Sequence, residues 1–201
     1  MSFDEGVIKF KPHWIKSYLS DFAEASEMNL WRKKLYELKL IGAYEGDIGY
    51  GNISMRIGEG LEFIISGSGT GNADWTGTQH YTRVIDFSLK NNSVTCVGPI
   101  VASSESLTHA MLYEFDPKIK VVVHAHHRGL WTSLLHKIPT TQAHISYGTV
   151  EMAMEVKRLF DETELRRTKL FAMAGHPDGL ISFGSNFAEA CQLYFDLLNK
   201  K

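Results

Sequence analysis

The chain lacks the features that mark secreted, membrane-spanning and nucleic-acid-binding proteins. Its 201 residues hold only two cysteines, Cys96 and Cys191. These form neither a C-x-x-C pair nor a short disulfide framework, so both are expected to be buried thiols. No apolar run approaches the ~18 residues that cross a bilayer; the richest, residues 121–125, is broken by His124 and followed by His126 and His127. The amino end, MSFDEGVIKF, carries acids where a leader peptide would carry bases. Lys and Arg number 21 against 23 Asp and Glu, which leaves no basic footprint for nucleic acid or a lipid surface. Repeats, low-complexity tracts and linkers are absent as well. The expectation is a cytoplasmic protein, with no nucleic-acid or membrane partner, that handles a small molecule or contacts another protein.

The chain is 44% hydrophobic and 22% charged, values that permit a substantial core. At about 150 residues per domain, its length predicts one domain over residues 1–201. Nine histidines are the unusual feature. Residues 20–40 set Trp31, Leu35 and Leu38 at helical spacing with Gly42 as a stop, predicting a long opening helix. Residues 51–57 and 61–66, then 82–90 and 93–98, read as two hairpins. The Gly/Ser/Thr-rich stretch 66–81 between them is too long for a bare connector and reads as a binding loop. Helices are expected at 104–115, 128–135, 149–160 and 186–198, the last capped by Asn186. Strands are expected at 120–125, 170–173 and 179–184. Hairpins early and crossovers late predict an α/β fold, a three-layer α/β/α sandwich with a central, largely antiparallel sheet.

His124 and His126 stand two apart on a predicted strand, so both leave one face, about 6.6 Å apart along it. They can converge on one ion, while His127 faces the other way. A metal site needs at least a third protein ligand. His176, in a Gly-flanked turn before a strand, is the strongest candidate, ahead of His80, His109 and His144. The plainer reading is a set of satisfied histidines at a strand end. A cupin would need a carboxylate three or four residues later, where this chain has Arg, Gly, Leu and Trp. An amidohydrolase barrel would need about 250 residues.

Glu105 lies in VASSES, behind Ser103 and Ser104 at a predicted helix start. Free N–H groups and the positive dipole end at such a start suit a phosphate; ordinary N-capping is the plain alternative. His109 and Tyr113 read as packing on a buried helix face. Trp31, Trp131 and the face of Met154 read as core.

Taken in order, GNIS (51–54), SGSG (66–69), SSE (103–105), H-A-H (124–126), YGTVEMAMEV (147–156) and G-H (175–176) resemble the class II aldolase and adducin head family. The resemblance runs over residues 30–198. It implies Zn²⁺ held by His124, His126 and His176, with other divalent transition metals as alternatives, and Glu105 as the acid/base carboxylate. It implies that Asn52, Ser68, Gly69, Ser103 and Ser104 hold the phosphate of a small phosphorylated sugar through main-chain and hydroxyl donors. The implied reaction is reversible aldol cleavage of a ketose 1-phosphate to dihydroxyacetone phosphate and an aldehyde, through a zinc-bound enediolate. A sugar-phosphate dehydratase of the methylthioribulose phosphate type or an epimerase could use the same site. An adducin-like interaction module without metal is the alternative of another class. The resemblance further implies a homotetramer. The chain departs from the family at Gly175-His176-Pro177-Asp178-Gly179, where Asn-His-Gly is commoner, and at Ser66-Gly67, where Thr-Pro is. Only 25 residues follow His176, fewer than the aromatic tail of sugar-phosphate members.

Overall fold

The computed structural model describes residues 6–199; Asp4 and Glu5, the acids of the amino end, lie outside them. Ten strands are named here: β1 (Lys11–Lys16), β2 (Gly42–Ala43), β3 (Gly49–Tyr50), β4 (Asn52–Arg56), β5 (Phe63–Ser66), β6 (Tyr81–Ser88), β7 (Ser93–Gly98), β8 (Val121–His126), β9 (Leu170–Ala172) and β10 (Gly179–Gly184). The helices are α1 (Ala25–Glu37), α2 (Ser106–Phe115), α3 (Arg128–Leu134), α4 (Val150–Glu162), α5 (Leu165–Thr168) and α6 (Phe187–Asn199). No described helix is long and apolar enough to cross a membrane.

Eight strands form one sheet in the order β1-β7-β6-β5-β4-β8-β10-β9. All its pairs are antiparallel except β1 with β7. Buried residues of α2 and α4, including Leu107, Met111, Met152 and Val156, pack on one face with Phe63, Val122 and Ile181. Met28 and Leu35 of α1 and Phe187, Ala190 and Tyr194 of α6 cover the other with Ile53, Val121 and Val123. The expected three-layer sandwich is therefore present, and both hairpins stand where the alternation put them.

The strand β8 is buried along its whole length. Val121, Val123 and Ala125 enter the α1/α6 layer. The period of two then turns Val122, His124 and His126 toward α2 and α4. In the same way β4 sends Ile53 and Met55 to one layer and leaves Asn52 and Ser54 on the histidine face. Asn52 lies directly opposite His124 in the ladder.

Helix ends follow local chemistry. The Thr149 hydroxyl accepts from the Met152 N–H at 3.2 Å to start α4. The Asn186 side chain accepts from the Glu189 N–H at 2.9 Å, the expected cap, a contribution of about 1 kcal/mol. Cys96 and Cys191 are buried thiols, as expected. Trp31 and Trp131 are half-buried against the α1/α6 core, and Trp31 stacks on Phe195.

Several features differ from the sequence expectation, including the short helix α5, which was not anticipated. The opening helix is shorter, because Lys39 enters the left-handed region at φ 57 and turns the chain toward β2. Strand β1 was not anticipated: KPHWIK is exposed at every position and carries a proline, which an edge strand tolerates. Its identity comes from pairing with β7, from Lys11 opposite Ser93 to Lys16 opposite Gly98. The short β2–β3 hairpin was also missed. Met154, expected in the core, is 49% exposed; Met152, Val156 and Leu159 set the buried phase of α4 instead. Met152→Ala is therefore expected to cost about 2–5 kcal/mol, and Met154→Ala less than about 0.5 kcal/mol, read as shifts of the urea midpoint at constant slope.

Candidate metal centre and anion pocket

His124 and His126 arrive from the end of β8, and His176 from the turn that feeds β10. Their side-chain nitrogens lie within 4.8 Å of one another, and all three residues are buried. His126 Nε2 is 2.9 Å from His124 Nε2 and 2.9 Å from His176 Nε2. His80, His109 and His144 are not in this group. His127 caps α3, its Nδ1 accepting from the Leu130 N–H at 3.1 Å.

The outer nitrogens have partners that turn the inner ones toward a common point. His124 Nδ1 faces the Leu180 carbonyl at 3.2 Å. His126 Nδ1 meets the Tyr44 hydroxyl at 2.8 Å. His176 Nδ1 lies 3.7 Å from Glu105 Oε1. A ring that donates from Nδ1 keeps a bare lone pair at Nε2, and outer partners of this kind orient metal-binding imidazoles. Two nitrogens bound ~2.0–2.1 Å from one tetrahedral Zn²⁺ stand about 3.3 Å apart. The observed gaps of 2.9 Å thus need to open by only a few tenths of an ångström. The residues fit a divalent transition metal.

Burial pushes both His124 and His126 well below the ordinary imidazole range, with the neighbouring histidines adding to the effect. Both are therefore neutral, the form that binds metal. Aromatic rings wall the group: Tyr50 stacks on His126 at 5.3 Å, and Tyr147 meets His176 edge-on at 4.4 Å. The amino-terminal segment crosses beside them, with the Val7 N–H donating to the Tyr147 hydroxyl at 3.2 Å and the Lys9 ammonium over the Tyr147 ring.

A cavity opens next to His124. Asn52, Ser68, Gly69, Ser103, Ser104 and Glu105 all line it, with Gly6, Gly49, Gly51, Gly67 and Gly71. The five residues expected to hold an anion thus meet the expected carboxylate in one place. Asn52 Oδ1 is buried without a hydrogen-bond partner among the described residues. Gly69 adopts φ +75, and a Cβ there would meet nothing within 4 Å, so it is the backbone conformation and not crowding that favours glycine there. The Gly51 turn is needed for the wall itself: at φ +72, a Cβ would lie 3.0 Å from the His124 carbonyl.

Glu105 joins the two halves. It occupies the N-cap position of α2 and is 1% exposed. Its Oε2 accepts from the Thr108 hydroxyl at 2.9 Å, and its Oε1 approaches His176. Ser103 Oγ accepts from the Glu105 N–H at 3.4 Å, but the N-cap of α2 is Glu105 itself and no side chain caps the helix, so ordinary N-capping by Ser103 or Ser104 is not what this end shows. His109 does not orient Glu105; it bonds Ser54 Oγ through Nδ1 at 2.7 Å, and Tyr113 shares that hydroxyl at 2.7 Å. Sequence reasoning missed Thr108, whose i+3 spacing from Glu105 was a readable signal. It also missed Tyr44 and Tyr50, whose places depend on the β2–β3 hairpin.

The model of the Class II Aldolase and Adducin N-terminal domain matches residues 46–198. The chain belongs to the class II aldolase and adducin family. Solved structures agree with that fold. An L-fuculose 1-phosphate aldolase superposes over 91% of this chain and 85% of its own, with TM-score 0.64 and 16% identity. A sugar-phosphate aldolase from Thermotoga maritima gives TM-score 0.64 over 87% of this chain and 89% of its own, at 18% identity. An L-fuculose-1-phosphate aldolase from Thermus thermophilus covers 87% of both chains at TM-score 0.56 and 22% identity. No curated protein sequence matches the chain. Within a family that includes adducin-type domains, the three converging imidazoles of this member are a group that could bind metal.

Two outcomes follow. Tyr44→Phe is expected to weaken zinc binding by about 10- to 100-fold, measured by competition with a chromophoric chelator, with the circular dichroism unchanged. Burial also holds His109 down at about 3, against an ordinary value near 6.5 in the unfolded chain. Between these values the unfolded state binds the extra proton, so stability is complete above pH ~6.5 and falls as pH drops, by about 1.4 kcal/mol per unit for each such histidine. In metal-free protein His124 and His126 add to the same slope. His109→Gln should flatten it, as read from urea midpoints between about pH 6.5 and 5.

Proposed function

We propose that this protein is a metal-dependent lyase that reversibly cleaves a ketose 1-phosphate into dihydroxyacetone phosphate and an aldehyde. The observation that carries the reading is the position of Glu105, which both lines the donor-rich cavity and reaches His176 of the imidazole group. A carboxylate shared by an anion pocket and a metal group is placed to act on a carbon between the two.

His124, His126 and His176 hold the ion, Zn²⁺ being the metal best suited to three imidazoles, with Mn²⁺, Co²⁺ or Fe²⁺ as alternatives. When bound, such an ion supplies Lewis acidity to substrate oxygens and stabilises the negative charge left as the carbon–carbon bond breaks. Asn52, Ser68, Gly69, Ser103 and Ser104 bind the phosphate through side-chain, hydroxyl and main-chain N–H donors, and no Lys or Arg among the described residues lines the cavity. That anchoring fixes the donor carbon near Glu105. Glu105 takes the proton from that carbon in the condensation direction and returns it after cleavage. Thr108 holds one carboxylate oxygen at 2.9 Å, leaving the other toward His176.

The burial of these groups also weighs against an adducin-like module without metal. Three imidazoles and a carboxylate taken out of water together cost free energy that a purely structural role does not return. Untagged protein purified without chelator should carry about one zinc per chain, lost in a His124→Ala His126→Ala double variant. Glu105→Gln should keep its zinc and lose retro-aldol turnover by about 10²- to 10⁴-fold. Full turnover in zinc-loaded Glu105→Gln would overturn the role of Glu105. A wild type that takes up no added zinc would overturn the lyase reading and return the non-catalytic module.

A further inference from the structure

The buried arginine of α1 has no place in the chemistry above. Arg32 heads the fully buried side chains by volume and is 1% exposed. Its guanidinium is turned onto main-chain carbonyls of the Gly-rich loop after β5. Nη2 donates to Thr70 O and Gly71 O, each at 2.9 Å, and Nη1 donates to Ala73 O. Tyr36, one helical turn later, donates its hydroxyl to Asn72 O at 3.4 Å. Four successive carbonyls, from Thr70 to Ala73, therefore face one helix.

In a trans peptide the N–H of the next residue points opposite to the carbonyl, and the described chain has no cis bonds. Capturing the Thr70 carbonyl thus directs the Gly71 N–H away from α1. Gly71 lines the cavity together with Gly69 and Ser68. The loop packs too closely here for any side chain: a Cβ on Gly71 would lie 2.2 Å from the Gly42 carbonyl. Thr70 closes the near end, its hydroxyl donating to Gly67 O at 2.8 Å.

The hydrogen-bond acceptors of Arg32 are all neutral carbonyls. Burial lowers its pKa and the exposed Asp74 acts against this, but a guanidinium stays charged in a protein. Its positive charge consequently sits behind the loop in a region where electrostatic effects are screened less than in water.

We propose that Arg32 is a positioning residue for the anion pocket, turning the Thr70–Gly71 peptide so that the Gly71 N–H faces the cavity and placing behind it a positive charge hydrogen-bonded only to carbonyls. The proposal rests on the reading of that cavity as a phosphate site. It explains how a pocket with no cationic lining could attract a dianion: the cation is present one layer back, where it cannot form a direct salt bridge that would slow release.

The test uses the zinc-loaded full chain with inorganic phosphate as the probe, followed by calorimetry and by amide resonances. Wild type should bind phosphate with shifts at the Gly69 and Gly71 amides. Arg32→Met should lose affinity by at least about tenfold while keeping its zinc per chain. Arg32→Lys, which keeps charge but cannot span three carbonyls, should fall between the two. A zinc-loaded Arg32→Met that binds phosphate within about twofold of wild type would overturn the proposal and leave the phosphate site standing. If Arg32→Met does not fold, wild type still decides, because phosphate bound without a shift at Gly71 would overturn it equally. Wild type that binds no phosphate at all would overturn the phosphate site itself, and this inference with it.

Discussion

The structure depends on one strand that is buried on both faces yet carries two histidines on one of them. Val121, Val123 and Ala125 anchor β8 in the α1/α6 layer, and the β period then leaves His124 and His126 no direction but the other layer. A one-residue slip in register would bury the imidazoles under α1 and α6 and move Val121 and Val123 to the α2/α4 layer. Pairing to β4 and β10 on either side prevents that slip, since Asn52 and Ile181 are both locked opposite His124. The same contacts that stabilise the sheet therefore aim the imidazole group that could bind metal.

Around that strand the site is built from neutral donors and dipoles, with charge kept to a few buried points. The imidazoles of β8 are held neutral by burial. The pocket beside them is lined by backbone, hydroxyls and one amide, together with Glu105 and His124. Glu105 is a buried carboxyl group among them and Arg32 a buried guanidinium. A hydroxyl bonds the carboxylate, and carbonyls hold the guanidinium without cancelling its charge. Such groups are costly to bury, and they persist because a well-packed sheet and two helical layers supply the stability that offsets them. The Ser54–His109–Tyr113 network plays a quieter part, filling the face of β4 beside Asn52 with a bonded polar cluster instead of a void.

Much of this was legible from the chain alone. Alternation placed both hairpins, and the β-branched run before His124 marked a strand buried on both sides, because such patterns record burial directly. The H-x-H spacing, the Ser-Ser-Glu helix start and the Gly/Ser-rich loop marked the site segments, since each needs particular residue types at short range. Strand β1 was not legible: nothing in an exposed KPHWIK records its pairing with β7. Met154 misled because α4 offers apolar residues on adjacent phases, and only contact with α2 chooses between them.

The sequence by itself determined which residue types were available for metal and anion binding, and on which faces of which elements they would lie, because helix and strand periods are local properties of the backbone. Tertiary structure alone decided which of the nine histidines would meet, since His176 lies 50 residues beyond His126 and reaches it only through the β8–β10 pairing. It also decided the outer partners: Tyr44 behind His126, Thr108 beneath Glu105 and Arg32 behind the Gly-rich loop. Those contacts join separate elements through single side-chain atoms, and no local pattern in a chain encodes a distance between elements that only packing brings together.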